Sequence, residues 1–269
     1  MKFETCIVDA FTDRFACGNP AGVVFLEGQN AQAGPELMQQ LAFELGLSET
    51  AFVSETEEGF SIRWFSPRRE MPLCGHATLA AAHLLFERRP GLASLRFDSA
   101  AGRIEVERRE EGRLGMSFPL DRYRRTPAES IYRDFFALDT IGDCIVGELT
   151  GKVVLILEDG ADLRAIRPDF AAMRQASGVF TRGIGISARA ADFDFETRYF
   201  NPWAGVDEDP VTGSVHTLLG RYWSERLGKT SLRALQNSQR PGVLELEVAD
   251  PKIVISGMAR VALRGVFDA

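Results

Sequence analysis

A phrase that occurs twice constrains this chain more than any other feature. Phe65-Ser66-Pro67 leads through a loop to Cys74-Gly75-His76 and then into the apolar run from Ala77 to Phe86. Phe200-Asn201-Pro202 leads likewise through Asp207-Glu208-Asp209-Pro210-Val211 to Thr212-Gly213-Ser214 and the apolar run Val215 to Leu219. Each time, an aromatic-polar-Pro strand end runs through a loop into a glycine-opened helix. Two helix starts built alike imply two similar halves facing one another. The free N–H groups and positive dipole end of a helix start make an anion site. Two such starts suit one carboxylate gripped from both sides.

The 269 residues suffice for one large domain or two ordinary ones. A net charge of −7 argues against a nucleic-acid surface or an anionic membrane as partner. The basic run Arg122-Tyr123-Arg124-Arg125 reads as solvated loop charge. No segment approaches the about 18 apolar residues that span a bilayer, and Met1 to Val8 lacks signal-peptide architecture. A cytoplasmic location is therefore expected, with Cys6, Cys17, Cys74 and Cys144 as thiols. Their spacing has no metal-finger pattern, and with only His76, His83 and His216 as histidines no metal site is expected.

Strands are expected over Phe3–Phe11 and Gly22–Leu26, with Gly18-Asn19-Pro20-Ala21-Gly22 a turn between them. Pro35 to Leu45 has the helical spacing Leu37, Met38, Leu41, Ala42, Leu45, a proline suited to the first turn and Gly46 as cap. Short strand-like runs follow at 49–54, 60–65, 95–97, 102–107 and 114–118, interrupted by the helix His76–Arg88. A helix apolar on nearly every face belongs inside something, so the strands are expected to wrap it. A polar crossover from Pro119 to Thr126 leads to a second half with strands at 144–146, 153–157, 183–187, 193–199, 244–248 and 253–255. Its buried helix spans about Val215–Leu227. The expected halves are residues 1–119, completed by the returning strand 260–269, and 120–259.

Chemistry is carried by few residues. Glu49 lies before Ala51, Phe52 and Val53; hemmed in by them, its pKa would rise through desolvation and suit proton transfer near neutrality. The alternative is a strand-edge glutamate facing water. Asp209 before Pro210 is either a second acidic group at the helix start or a turn initiator, and Glu208 is expected to face solvent. His76 either exchanges a proton or is structural. Ser214 either caps its helix or touches ligand. Cys74 before Gly75 has the setting of a thiol base, but the matching loop 208–214 has no opposing cysteine. None of the lysines (Lys2, Lys152, Lys229, Lys252) lies in the glycine loops as pyridoxal chemistry would require, and no GxGxxG or Walker motif opens a helix. No cofactor is expected.

Taken together, Val8-Asp9-Ala10-Phe11-Thr12, Gly18-Asn19-Pro20-Ala21-Gly22-Val23, Ser48-Glu49-Thr50-Ala51-Phe52, Gly75-His76-Ala77-Thr78 and Glu208 through Ser214 resemble the PhzF family, the phenazine-biosynthesis isomerases and their relatives. A partial echo continues through Gln236 to Pro241, where Gln236-Asn237-Ser238-Gln239-Arg240 departs from the Gln-Gly of many relatives. The resemblance implies the diaminopimelate-epimerase-like α+β fold. In it, two pseudo-symmetric halves, each a curved mixed or antiparallel sheet around a central buried helix, face a cleft. It implies cofactor-free proton shuttling with Glu49 as general acid/base and His76, Asp209 and Ser214 lining the pocket. Backbone N–H groups of Gly75, His76, Gly213 and Ser214 would hold a substrate carboxylate, and a homodimer is implied.

The expected function is therefore that of a cofactor-independent isomerase moving a proton on a small carboxylate-bearing metabolite. Two rival readings stand beside it. One is an epimerase or racemase using Glu49 or Cys74 against Asp209, and the other a non-catalytic protein that only binds small carboxylates.

Overall fold

The computed structural model describes the backbone of residues 1–269 and the side chains of all but 179 and 181. The chain divides into two compact units, residues 1–117 with 256–269, and residues 118–255.

The first unit holds strands β1 (Lys2–Ala10), β2 (Asn19–Phe25), β3 (Glu49–Thr56), β4 (Gly59–Phe65), β5 (Glu70–Met71), β6 (Ser94–Ser99), β7 (Gly102–Arg108) and β8 (Leu114–Pro119), with helices α1 (Pro35–Leu45) and α2 (Gly75–Arg88). β1 pairs antiparallel with β2 and with the C-terminal strand Ala259–Asp268. β3 lies parallel to β2, β4 antiparallel to β3, β6 parallel to β4, β7 antiparallel to β6 and β8 antiparallel to β7. The two-residue β5 sits on β4. Each parallel pair needs a crossover, and helices supply both: α1 joins β2 to β3, and α2 lies between β5 and β6.

α1 forms where proline at the first turn presets φ and Gly46, at φ 64°, closes the last turn by donating to the Ala42 carbonyl. It buries Met38, Leu41 and Ala42 against Phe3, Val24, Phe52 and Phe65. α2 buries every residue from His76 to Phe86 except His83 and packs on β1, β2, β3 and the C-terminal strand. The small side chains Ala77, Ala80, Ala81 and Ala82 let strands approach on several sides.

The second unit carries β9 (Tyr123–Arg125), β10 (Asp143–Gly147), β11 (Val153–Ile156), β12 (Ile184–Ala188), β13 (Phe195–Asn201), β14 (Val206–Asp209), β15 (Ser231–Gln236), β16 (Gly242–Ala249) and β17 (Lys252–Gly257), which makes the C-terminal strand β18. Its helices are α3 (Ser130–Phe136), α4 (Phe170–Gln175) and α5 (Gly213–Leu227). β10 to β13 pair in the senses of β1 to β4: antiparallel, parallel, antiparallel. β14 sits on β13 as β5 sits on β4, β15 lies parallel to β13, and β16 antiparallel to β15. β9 pairs with β10 as β18 pairs with β1. One topology is thus written twice, each time with a buried helix following the short side strand. The fold is α+β and pseudo-symmetric.

Some expectations are corrected. Residues 19–22 belong to β2, and only Gly18, at φ 72°, takes the left-handed conformation of a turn. A Cβ on Gly18 would stand 2.4 Å from the Ala10 carbonyl oxygen, so glycine is required where the chain re-enters the sheet. Arg122–Arg125 is not loop: Tyr123–Arg125 is β9, with its charges still exposed. α3, α4, β14 and β15 have no counterpart in the sequence reading. α3 is nevertheless a core element, burying Tyr132, Phe135 and Phe136 with Phe180 and Phe200.

Candidate active site

In the first unit, three chain segments begin at one place. β2 starts with Asn19, β3 with Glu49, and α2 with Gly75 behind its N-cap Cys74. β2 and β3 run in parallel with Ala21 opposite Glu49, so their N-terminal ends coincide, and α2 packs on both. The result gathers Glu49 with Cys74 and His76, which lie 25 and 27 positions further along the sequence. Glu49 Oε2 lies 3.4 Å from His76 Nε2. Cys74 Sγ lies 3.5 Å from His76 Nδ1 and 3.9 Å from Nε2. The Asn19 amide nitrogen also stands 3.4 Å from Nδ1.

The setting is dry. Cys74 and His76 are 7% and 8% exposed, and the Glu49 side chain retains 19%. Thr50, Ala51, Phe52 and Val53 are buried beside it. Burial raises the Glu49 pKa above the usual carboxylate value, because a charged carboxylate loses hydration there. The Ser48 hydroxyl pulls the other way, but it is buried without a hydrogen bond of good geometry, so desolvation wins. Of the two sequence readings of Glu49, the solvent-facing one is excluded.

Both glycine-opened helices start alike. Cys74 and Thr212 are extended N-caps at φ −141° and −116°, neither gives a side-chain cap, and neither first turn holds an acidic residue. Gly75 and Gly213 are the first helical residues, His76 and Ser214 the second. Ser214 therefore does not cap α5; it is exposed within the first turn, and its carbonyl accepts from the Thr217 hydroxyl at 2.9 Å. The carboxylates that stand at these helix starts come from other elements, Glu49 beside His76 and Asp209 beside Thr212.

In the second unit, Asp209 ends β14 opposite Tyr199 of β13, and its carboxylate accepts from the Thr212 hydroxyl. Gln236 clamps this loop: its amide nitrogen donates to the Asp209 carbonyl at 2.8 Å, and its amide oxygen accepts from the Thr212 N–H at 2.8 Å. Ser238 Oγ donates to the Pro210 carbonyl at 2.8 Å. The departure from the relatives' Gln-Gly thus lies in a segment that holds the Asp209 loop from behind. Lys152, absent from the sequence candidates, donates to the Tyr199 hydroxyl at 2.5 Å; burial lowers its pKa to about 8, with Asp209 drawing it back up. Glu208 is a second correction. It accepts from Arg198 Nε and Nη2 at 2.7 and 3.0 Å, both side chains being 10% exposed, so it is a buried ion-pair partner and not a solvent-facing acid.

Among the described residues, no helix is long and apolar enough to cross a membrane. The model of the phenazine biosynthesis-like protein family (PhzC-PhzF) matches residues 8–266. An uncharacterized isomerase of Pseudomonas aeruginosa is 41% identical over 269 residues, covering 99% of each chain. A mouse phenazine biosynthesis-like domain-containing protein is 37% identical, covering all of both chains. The crystal structure of a phenazine biosynthesis protein of the PhzF family from Enterococcus faecalis superposes with a TM-score of 0.93 at 35% identity over the full length of both.

Proposed function

The chain belongs to the phenazine biosynthesis-like family, and from that premise we propose that it is an isomerase that moves a proton on a small carboxylate-bearing metabolite, with Glu49 as general acid/base. One observation carries this reading: a desolvated carboxylate of raised pKa stands 3.4 Å from an imidazole at an acid-free helix start. The uncharacterized-isomerase name of the Pseudomonas aeruginosa relative agrees with it.

In the proposed mechanism, N–H groups of Gly75 and His76 receive the substrate carboxylate, stabilised by the helix dipole. Ionised Glu49 removes a proton from carbon next to an unsaturated centre, and the electron pair shifts along the conjugated system. The carboxyl, now protonated, returns the proton at the far end, so the enzyme ends as it began. His76, 3.4 Å away, donates to the carboxylate before transfer and stabilises charge during it. A raised pKa suits both halves of the cycle, because it brings the acid and base forms closer in free energy at neutral pH than in an ordinary carboxylate. The reading assigns Asp209 the role of stabilising or relaying charge. Gly213 and Ser214 further bind carboxylate, resting on their places in the second repeat. Proton transfer of this kind calls on side chains alone, and the reading includes no cofactor.

The test is a screen of small unsaturated carboxylates in deuterated water, followed by NMR. A substrate should gain deuterium at the position that receives the proton, and Glu49→Gln should remove that activity. Inversion at a stereocentre without double-bond migration would instead mark an epimerase.

A further inference from the structure

We propose that Glu49, Cys74 and His76 together form a site for one divalent metal ion of the zinc class, and that its occupancy withdraws Glu49 from proton transfer. The second clause rests on the reading of Glu49 above; the first does not.

A thiol, an imidazole and a carboxylate are the donors zinc takes, and sites with three protein ligands leave a fourth position open. Distance makes the case sharper. Ligand bonds of 2.0–2.3 Å in a tetrahedral arrangement put ligand atoms about 3.3–3.8 Å apart. Here His76 Nε2 stands 3.4 Å from Glu49 Oε2, Cys74 Sγ stands 3.9 Å from Nε2 and 3.5 Å from Nδ1, and the three donors lie within 4.8 Å of one another. The carboxylate already stands at the spacing a metal would impose, and the thiol, nearer Nδ1, has to turn toward the Nε2 side to join it.

The supports are rigid. The Cys74 carbonyl accepts from the Thr78 N–H at 3.1 Å and the Thr78 hydroxyl at 2.7 Å, fixing the turn that presents both Cys74 and His76. Asn19 sits against Nδ1. With its amide oxygen turned to the ring it accepts the Nδ1 proton and leaves the Nε2 lone pair for the metal, an outer-shell role commonly filled beside metal-bound histidine. One thiolate and one carboxylate balance the charge of a dication in this buried setting. A carboxylate oxygen bonded to a metal cannot exchange a proton with substrate, so metal and turnover would compete for the same group.

The experiment titrates the purified, reduced, full-length protein with cobalt(II). Expected are a near-ultraviolet thiolate-to-cobalt band and intense tetrahedral bands saturating at one equivalent, all erased by one equivalent of zinc. Cys74→Ser should abolish the near-ultraviolet band, while Cys144→Ser, in the second unit, should keep it. Glu49→Gln should retain the thiolate band but weaken cobalt binding by at least the 10- to 100-fold that loss of even an outer-shell partner costs. No thiolate band at saturating cobalt, a band that survives Cys74→Ser, or unchanged affinity in Glu49→Gln would each overturn the site. Should Cys74→Ser fail to fold, the wild-type band and the Glu49→Gln affinity decide. No substrate is involved: cobalt binding without isomerase turnover would sink the function and leave the site, and Glu49-dependent turnover without cobalt binding would do the reverse.

Discussion

His216 Nδ1 donates to the Thr212 carbonyl at 2.8 Å, pinning the first turn of α5 from inside the second unit. The ring is fully buried, stacks on Phe195 at 5.9 Å, and its Nε2 has no partner among the described residues. Burial therefore lowers its pKa from 6.5 to about 4. Both states of the chain leave this imidazole neutral above pH 6.5. Between 6.5 and about 4 only the unfolded chain takes up the proton, so stability falls as pH falls through that window. A displacement of that size is worth about 3 kcal/mol. Urea unfolding across this range should show the loss, and His216→Asn, which still donates but does not titrate, should flatten it. Part of the fall should remain, because burial also lowers the pKa of His83. An equal slope in variant and wild type would refute the assignment.

Gly183 sits at φ 102°, and a Cβ there would stand 2.0 Å from the Tyr199 hydroxyl. That hydroxyl donates to the Arg182 carbonyl and receives Lys152. Gly183→Ala should therefore cost about 3 kcal/mol from backbone strain and overpacking together. Chemical denaturation measures it; a loss below about 1 kcal/mol would show that Tyr199 can move aside.

Gln236→Ala removes the partner of the Thr212 N–H and of the Asp209 carbonyl at once. Leaving a buried polar group unmatched costs about 1–3 kcal/mol. The loss should also be local, so hydrogen exchange at the Thr212 amide should accelerate far more than exchange in α2. Uniform acceleration across both units would mean that Gln236 serves general stability and not the loop.

How far the residues announced all this depended on the range of the interaction. α1 was legible because Pro35, Gly46 and the Leu37–Leu45 spacing are local signals. β2 was not. Pro20 and Gly22 read as breakers, yet Pro20 is the second residue of its strand, where a missing N–H is tolerated. Glu208 looks solvated in sequence because its partner Arg198 lies ten residues back. Only the β13–β14 register, Phe200 opposite Glu208, brings the two within reach. Glu49 and His76 were each legible as candidates from the repeat and the family blocks. That Cys74 and Asn19 would join them depends on β2, β3 and α2 beginning at one end of the unit, which no local pattern records.

The proposal that Glu49 is the acid/base is tested most directly by turnover in deuterated water, comparing wild type, Glu49→Gln and Glu55→Gln. Glu55, on the same strand, is 59% exposed and pairs with Arg89 at 2.6 Å, so it controls for loss of a carboxylate as such. Losing a well-placed acid/base costs on the order of 10² to 10⁴ in rate. The account predicts that Glu49→Gln falls by at least that much with substrate binding and melting temperature nearly unchanged, while Glu55→Gln stays within twofold of wild type. Glu49→Gln turning over at the wild-type rate, above all beside an inactive Cys74→Ala, would contradict it.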